Sequence, residues 1–225
     1  AGMNRDGCAC LHAADGYARA SGKTGVCLVT SGPGTTNLVT GIATANIDSV
    51  PLVCFTGQVS SGLIGRESFQ EVNTVQIMKS ICKYAVTVRD RRELGEAVRS
   101  AFQAARSGRP GAAVVDLPKD IQQELGSDFY PLCTDDKAEV PVPEEVTDRC
   151  LEALRTARKP LFLIGGGVHT AGAEKEMTRL AEKTGIPVVT TIMGKGVLPS
   201  DHPLYIGNLG IHGSFAANMA VSECD

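Results

Sequence analysis

Residues 26–47, Val26-Cys-Leu-Val-Thr-Ser-Gly-Pro-Gly-Thr-Thr-Asn-Leu-Val-Thr-Gly-Ile-Ala-Thr-Ala-Asn-Ile47, decide the architecture of the chain. Val26 to Thr30 is a short apolar run that predicts a strand, and Thr35 to Ile47 predicts a helix. Ser31-Gly32-Pro33-Gly34 makes the turn between them. A strand of nearly unbroken hydrophobicity suits a sheet buried on both faces, and its hand-over to a helix suits a parallel βαβ unit.

The alternation continues outward. Further strands are expected at Pro51–Thr56, Tyr84–Val88, Ala112–Leu117, Leu161–Ile164 and Pro187–Thr191. Helices are expected at Leu11–Ala20, Val72–Ser80, Arg92–Ser107, Glu144–Ala157, Gly172–Thr184 and Ser214–Ser222. The fold class is therefore α/β with parallel sheets. Residues 121–143, proline-bearing, acidic and without helical period, read as a linker between a first unit, 1–120, and a second, 144–225. The second unit shows two clear strands, fewer than an independent sheet usually has. Both ends are expected to be cut: the chain enters a helix without a preceding strand and stops at a helix end.

Composition removes several function classes. Hydrophobic residues at 43% and charged residues at 21% are those of an ordinary soluble globular chain. A net charge of −3 argues against nucleic-acid binding, which needs a concentrated basic face. No apolar run reaches the roughly 18 residues of a membrane span, and the first ten residues lack a signal-peptide core, so a cytoplasmic location is expected. The eight cysteines follow no repeating interval, and those at 27 and 54 lie in apolar runs, as small hydrophobes do. Cys8-x-Cys10 with His12 has no second ligand pair, so no metal is expected there.

Four loops could carry chemistry. Thr30–Asn37 combines small residues with a helix start, equally compatible with a ligand loop and a capped turn; without a lysine it is not a Walker A loop. Ile164-Gly165-Gly166-Gly167-Val-His-Thr170 is a second glycine-rich turn, but Thr170 and the lack of a following acid disfavour a nicotinamide nucleotide. In Ser107-Gly108-Arg109-Pro110-Gly111, Gly108 suits a helix C′ position and Arg109 could meet a planar cofactor. His212 lies between flexible neighbours in Leu209-Gly210-Ile-His-Gly213, where a surface role is the commoner fate.

The order of these segments is more specific than any one of them. His12-Ala-Ala-Asp-Gly-Tyr-Ala-Arg, Thr30-Ser-Gly-Pro-Gly-Thr-Thr-Asn, Asp48-Ser-Val-Pro, Phe69-Gln-Glu, Ser107-Gly-Arg-Pro-Gly and Val115-Asp-Leu-Pro-Lys-Asp form one series. Ile164-Gly-Gly-Gly, Met193-Gly-Lys-Gly and Leu209-Gly-Ile-His-Gly-Ser-Phe continue it. The series resembles the acetolactate (acetohydroxyacid) synthase large subunit, a thiamine-diphosphate enzyme, over nearly the whole chain from His12. Phe69-Gln-Glu and Gly210-Ile-His-Gly favour that branch over other thiamine enzymes.

The resemblance implies an incomplete three-layer pyrimidine-binding domain followed by part of a Rossmann-like, FAD-binding central domain. It implies thiamine diphosphate, FAD and Mg²⁺ as cofactors of the full-length family, with the Mg²⁺ and diphosphate ligands outside this chain. Pro33, Asn37 and Gln70 are implied as thiamine-side contacts, and Phe69 and Lys119 as substrate-pocket residues. Arg109, Gly165, Gly166, Thr191, Met193, Leu209, His212 and Gly213 are implied as FAD contacts. The implied reaction joins pyruvate, with loss of CO₂, to a second 2-keto acid such as 2-ketobutyrate, in branched-chain amino-acid biosynthesis. A homodimer or tetramer and a small regulatory subunit are implied as partners.

The chain departs from the family in two places. Ser60 and Gly62 stand where the family has proline and arginine, which bears on inhibitor sensitivity. More seriously, Gly7 occupies the position of the family's glutamate, which hydrogen-bonds the pyrimidine ring and moves a proton. Codons for residues 1–6 can be written that, in a shifted frame, restore Arg-His-Glu-Gln-Gly, so residues 1–11 are expected to reflect a frame error. The chain alone is accordingly expected to be inactive. The alternatives are another thiamine carboligase or decarboxylase, such as glyoxylate carboligase, and a remnant that only dimerises.

Overall fold

The computed structural model describes residues 7–126 and 141–225, which fall into two compact units divided near residue 135. The expected frame-error segment and the expected linker lie partly, at 1–6 and 127–140, outside the described residues.

In the first unit, α1 (Gly7–Ser21) leads into β1 (Gly25–Val29), α2 (Pro33–Thr36), α3 (Val39–Ile47) and β2 (Leu52–Gln58). Then come α4 (Thr74–Met78), β3 (Tyr84–Thr87), α5 (Leu94–Arg106), β4 (Ala112–Pro118) and α6 (Lys119–Gln123). The strands form a wholly parallel sheet in the order β1-β2-β4-β3. Alternate residues of each strand point to opposite faces, so one strand feeds two cores. Leu52, Cys54, Ala112 and Val114 meet Leu11, Ala14, Ala18, Ile42 and Met78 on one side. Val53, Ala113 and Val115 meet Ala97, Ala101 and Ala105 of α5 on the other. Alanines at every fourth position of α5 give it a flat stripe that lies close to the sheet. The result is three layers, helix–sheet–helix. Cys27 and Cys54 are both buried in the first core, as their apolar runs predict.

The second unit is α7 (Glu144–Thr156), β5 (Phe162–Ile164), α8 (Gly167–Ala171), α9 (Glu174–Thr184), β6 (Val188–Thr190), β7 (Tyr205–Asn208) and α10 (Phe215–Glu223). Its sheet is again parallel, in the order β5-β6-β7, over a core of Ile164, Ala181, Val188, Val197 and Leu198.

Three expectations are corrected. The sheet is not buried on both faces throughout, because β1 alternates buried and exposed, with Val26 49% and Leu28 63% exposed. The second sheet has three strands, the third being Tyr205-Ile-Gly-Asn208, which has no apolar run and is interrupted by a register shift opposite Val188/Val189. The helix expected from Thr35 to Ile47 is broken at Asn37–Leu38 into α2 and α3. Among the described residues, no helix is long and apolar enough to cross a membrane.

The bare face of β1 yields a prediction. Val26 and Leu28 leave an apolar strip on an edge strand, a template for association. The double change Val26→Lys, Leu28→Lys should raise the soluble, monodisperse fraction of the chain in light scattering while leaving its circular dichroism unchanged. Unaltered aggregation would exclude that strip as the cause.

Candidate functional site

Because all strands of the first sheet run the same way, their carboxyl ends and the loops that follow share one edge. Ligands of parallel α/β sheets bind at such edges. Gly32 reaches φ +60 there, a conformation that costs glycine least. A Cβ on Gly32 would stand 2.8 Å from the carbonyl oxygen of Gln70 and 3.0 Å from its Cα, so the glycine turn and the Phe69–Gln70 loop lie in contact. Gln70 itself is held at φ +60, an uncommon conformation for a side-chain-bearing residue. Two stretches separated by about forty residues of sequence are thus brought together (32 and 70).

Pro33 and Asn37 are exposed at either end of α2. The Thr36 N–H donates to Gly32 O and the Asn37 N–H to Pro33 O, closing this short helix. Phe69 is 89% exposed. Lys119 opens α6 directly after Pro118, whose register partner is Gln58, so it stands on the same edge. Ser60 and Gly62 flank and enter a short 3-10 turn whose Ser61 N–H donates to Asp120 Oδ1 over 2.9 Å. Arg109 extends over the other end of the sheet, donating to Ser49 Oγ over 2.7 Å and to the Ile47 carbonyl. Gly108 takes φ +57 after α5, as its C′ placement predicts.

Gly7 is closely constrained. It is buried at the start of α1, and a Cβ there would stand 2.5 Å from Gly34 O and 3.4 Å from Asn37 Cβ. Helix α1 approaches the glycine turn closely because position 7 carries no side chain.

A buried carboxylate stands at this edge, in the Val115–Asp120 motif. Asp116 on β4 is fully buried, accepting hydrogen bonds from Thr56 Oγ1 (2.6 Å), Thr87 Oγ1 (3.0 Å) and Gln58 Nε2 (3.2 Å). Thr74 Oγ1 is buried beside it, turned to the carboxylate but short of hydrogen-bond geometry. Burial raises the Asp116 pKa, and these donors partly offset the rise. An acid inside the run Ala-Ala-Val-Val-Asp-Leu of a predicted central strand is the signal that could have identified it.

In the second unit the carboxyl ends also gather loops. Thr191 N–H donates to Ile164 O and Leu209 N–H to Thr190 O, tying the ends of all three strands. A Cβ on Gly166 would lie 3.1 Å from Met193 Cβ, while Gly165 keeps a 3.8 Å approach to Thr191 Oγ1. Gly165, Gly166, Thr191, Met193 and Leu209 therefore converge on one edge. His212 and Gly213 follow on a loop clamped by Asn218, whose side chain accepts from Gly210 N–H and donates to Gly210 O, both at 3.1 Å. Nothing in the linear sequence marks Asn218 for this clamp. Asn208 Oδ1 is buried at the same edge without a hydrogen-bond partner.

The N-terminal TPP binding domain of thiamine pyrophosphate enzymes matches residues 3–77, and the central domain of the same enzymes matches 147–225. The chain belongs to the thiamine pyrophosphate enzyme family. Proteins it is similar to include acetolactate synthases and their large subunits. It is 47% identical to a probable acetolactate synthase large subunit of Methanocaldococcus jannaschii, over 96% of the chain and 38% of that protein. It is 46% identical to the isozyme 2 large subunit of Escherichia coli strain K12, over 95% and 39%. To the chloroplastic acetolactate synthase 1 of Zea mays it is 45% identical, over 95% and 34%. The chain thus spans well under half the length of these relatives.

The two units differ in how they fit the family's cofactors. In the second, the converging glycine loops and the orphaned Asn208 oxygen fit an elongated polar ligand such as FAD. In the first, Gly32 lies against Gln70, and a side chain at position 7 would meet the Gly34 carbonyl.

Two predictions follow from these contacts. Gly7→Glu drives side-chain atoms into the Gly34 carbonyl, so it should destabilise the unit by about 1–3 kcal/mol, seen as a lower urea midpoint, rather than restore a site. The Asp116 pKa is raised in the folded state, so the stability linked to its protonation is present below the unfolded value of about 3.9 and is lost as pH rises through the folded one. The urea-midpoint difference between wild type and Asp116→Asn should therefore fall with rising pH; a flat difference would contradict the burial account.

Proposed function

We propose that this chain is the pyrimidine-binding part, residues 1–120, and a portion of the FAD-binding central part, residues 144–225, of an acetolactate synthase large subunit. In the whole protein the reaction would condense pyruvate with a second 2-keto acid, pyruvate or 2-ketobutyrate, and release CO₂. The observation that carries this reading is the meeting of Gly32 with Gln70, which brings two family motifs together on the carboxyl edge of one sheet. Identity of 45–47% across both units, in the same order, supports it.

On this reading Pro33, Asn37 and Gln70 contact the thiamine side, and Phe69 and Lys119 face the 2-keto acid. The exposure of Phe69 fits a pocket completed by another protomer, with which the enzyme would form a homodimer or tetramer and bind a small regulatory subunit. Gly165, Gly166, Thr191, Met193, Leu209, His212 and Gly213 are assigned to FAD, as Arg109 is by its motif. When bound, thiamine diphosphate supplies the carbanion chemistry that decarboxylation of a 2-keto acid requires. Mg²⁺ and its ligands belong to the remainder of the enzyme, which works in the cytoplasm or its organellar equivalent.

The polypeptide as it stands is inactive on this account, because position 7 offers no carboxylate. Incubated with pyruvate, thiamine diphosphate, Mg²⁺ and FAD, the pure chain should form no acetolactate above a protein-free control. Sustained formation would refute the inactivity.

A further inference from the structure

Asp116 sits on an inner strand between two neighbours that each offer it a hydroxyl. Thr56 and Thr87 are its register partners on β2 and β3, and both donate to its carboxylate. The third donor, Gln58, leads elsewhere. Its Nε2 gives one hydrogen to Asp116 Oδ2 at 3.2 Å and the other to the Val72 carbonyl at 2.8 Å. Its Oε1 accepts from the Val59 N–H at 2.9 Å. Every polar atom of that buried amide is therefore placed. Exchanging its nitrogen and oxygen would set an oxygen against a carboxylate and a carbonyl, so the acceptor-only partner fixes the amide's orientation.

Val72 ends the loop that presents Phe69 and Gln70. The same loop is tied from its other side by Glu71, whose carboxylate accepts from the N–H groups of Gly65 and Ser68. It then lies against Gly32 of the glycine turn. A path of direct contacts runs from a buried carboxylate, through one amide, to the loop.

We infer that Asp116 is a positioning residue: through Gln58 it fixes the Phe69–Gln70 loop against the Thr30–Asn37 turn. It touches neither cofactor nor substrate. The functional meaning of that placement rests on Gln70 and Phe69 being site contacts, as proposed above; the placement itself does not.

Hydrogen–deuterium exchange of the full chain tests it, comparing peptides from residues 61–72 with peptides from α5. Gln58→Met removes the link while keeping the bulk, and Asp116→Leu removes the anchor. Both should speed exchange in 61–72 by roughly tenfold or more, as loss of a charge-assisted hydrogen bond implies, with α5 unchanged. Asp116→Asn keeps an acceptor for Gln58 and should stay within about threefold of wild type. Wild-type exchange in Gln58→Met overturns the inference, and so does equal acceleration in α5, which marks a general structural role. If Asp116→Leu does not fold, Gln58→Met and Asp116→Asn decide the matter. Calorimetric titration of the wild-type chain with thiamine diphosphate reads the cofactor assignment separately: absence of heat removes that assignment and leaves the exchange result to judge the positioning role.

Discussion

Parallel strand pairing is the constraint on which the first unit depends. With β1, β2, β4 and β3 all running one way, each crossover must return across a face, and each outgoing loop must emerge at the same edge. The glycine turn after β1, the loop after β2 and Lys119 after β4 are neighbours for that reason. A buried carboxylate where three of these strands end then becomes useful, since Asp116 can bind donors from both flanking strands at once. Burying it raises its pKa, and the three hydrogen bonds are what make the burial tolerable.

The glycines divide into positions that turn the chain and positions that let elements close. Gly32 does both, taking a positive φ and leaving space for Gln70. Gly7 and Gly41 only allow approach: α1 rests on the Gly34 carbonyl at one and presses Leu11 against the other. The close seat of α1 is incompatible with a carboxylate at position 7. The packing at position 7 bears on the proposed function, in which that position carries no acid.

Most strands were legible because each is a compact apolar run bounded by turn residues: Leu52-Val-Cys-Phe and Ala112-Ala-Val-Val are plain examples. Strand β7 was not, since Tyr205-Ile-Gly-Asn pairs through a bulge and has half-buried residues throughout. The break between α2 and α3 was hidden because Asn37 and Leu38 continue an apolar period that backbone geometry interrupts. The site was legible in part. Small-residue loops advertise themselves, and their order revealed the family. The roles of Asp116, Gln58 and Asn218 were not legible, because a hydrogen-bond network joins residues from separate elements, which linear spacing does not encode.

On the function proposed above, the chain carries walls of a thiamine site, and position 7 offers no carboxylate to activate the cofactor. The most direct measurement is proton NMR of thiamine diphosphate in D₂O, following replacement of the thiazolium C2 hydrogen by deuterium with and without the chain. The account predicts the same rate in both samples. A clearly faster exchange in the presence of the chain would contradict it.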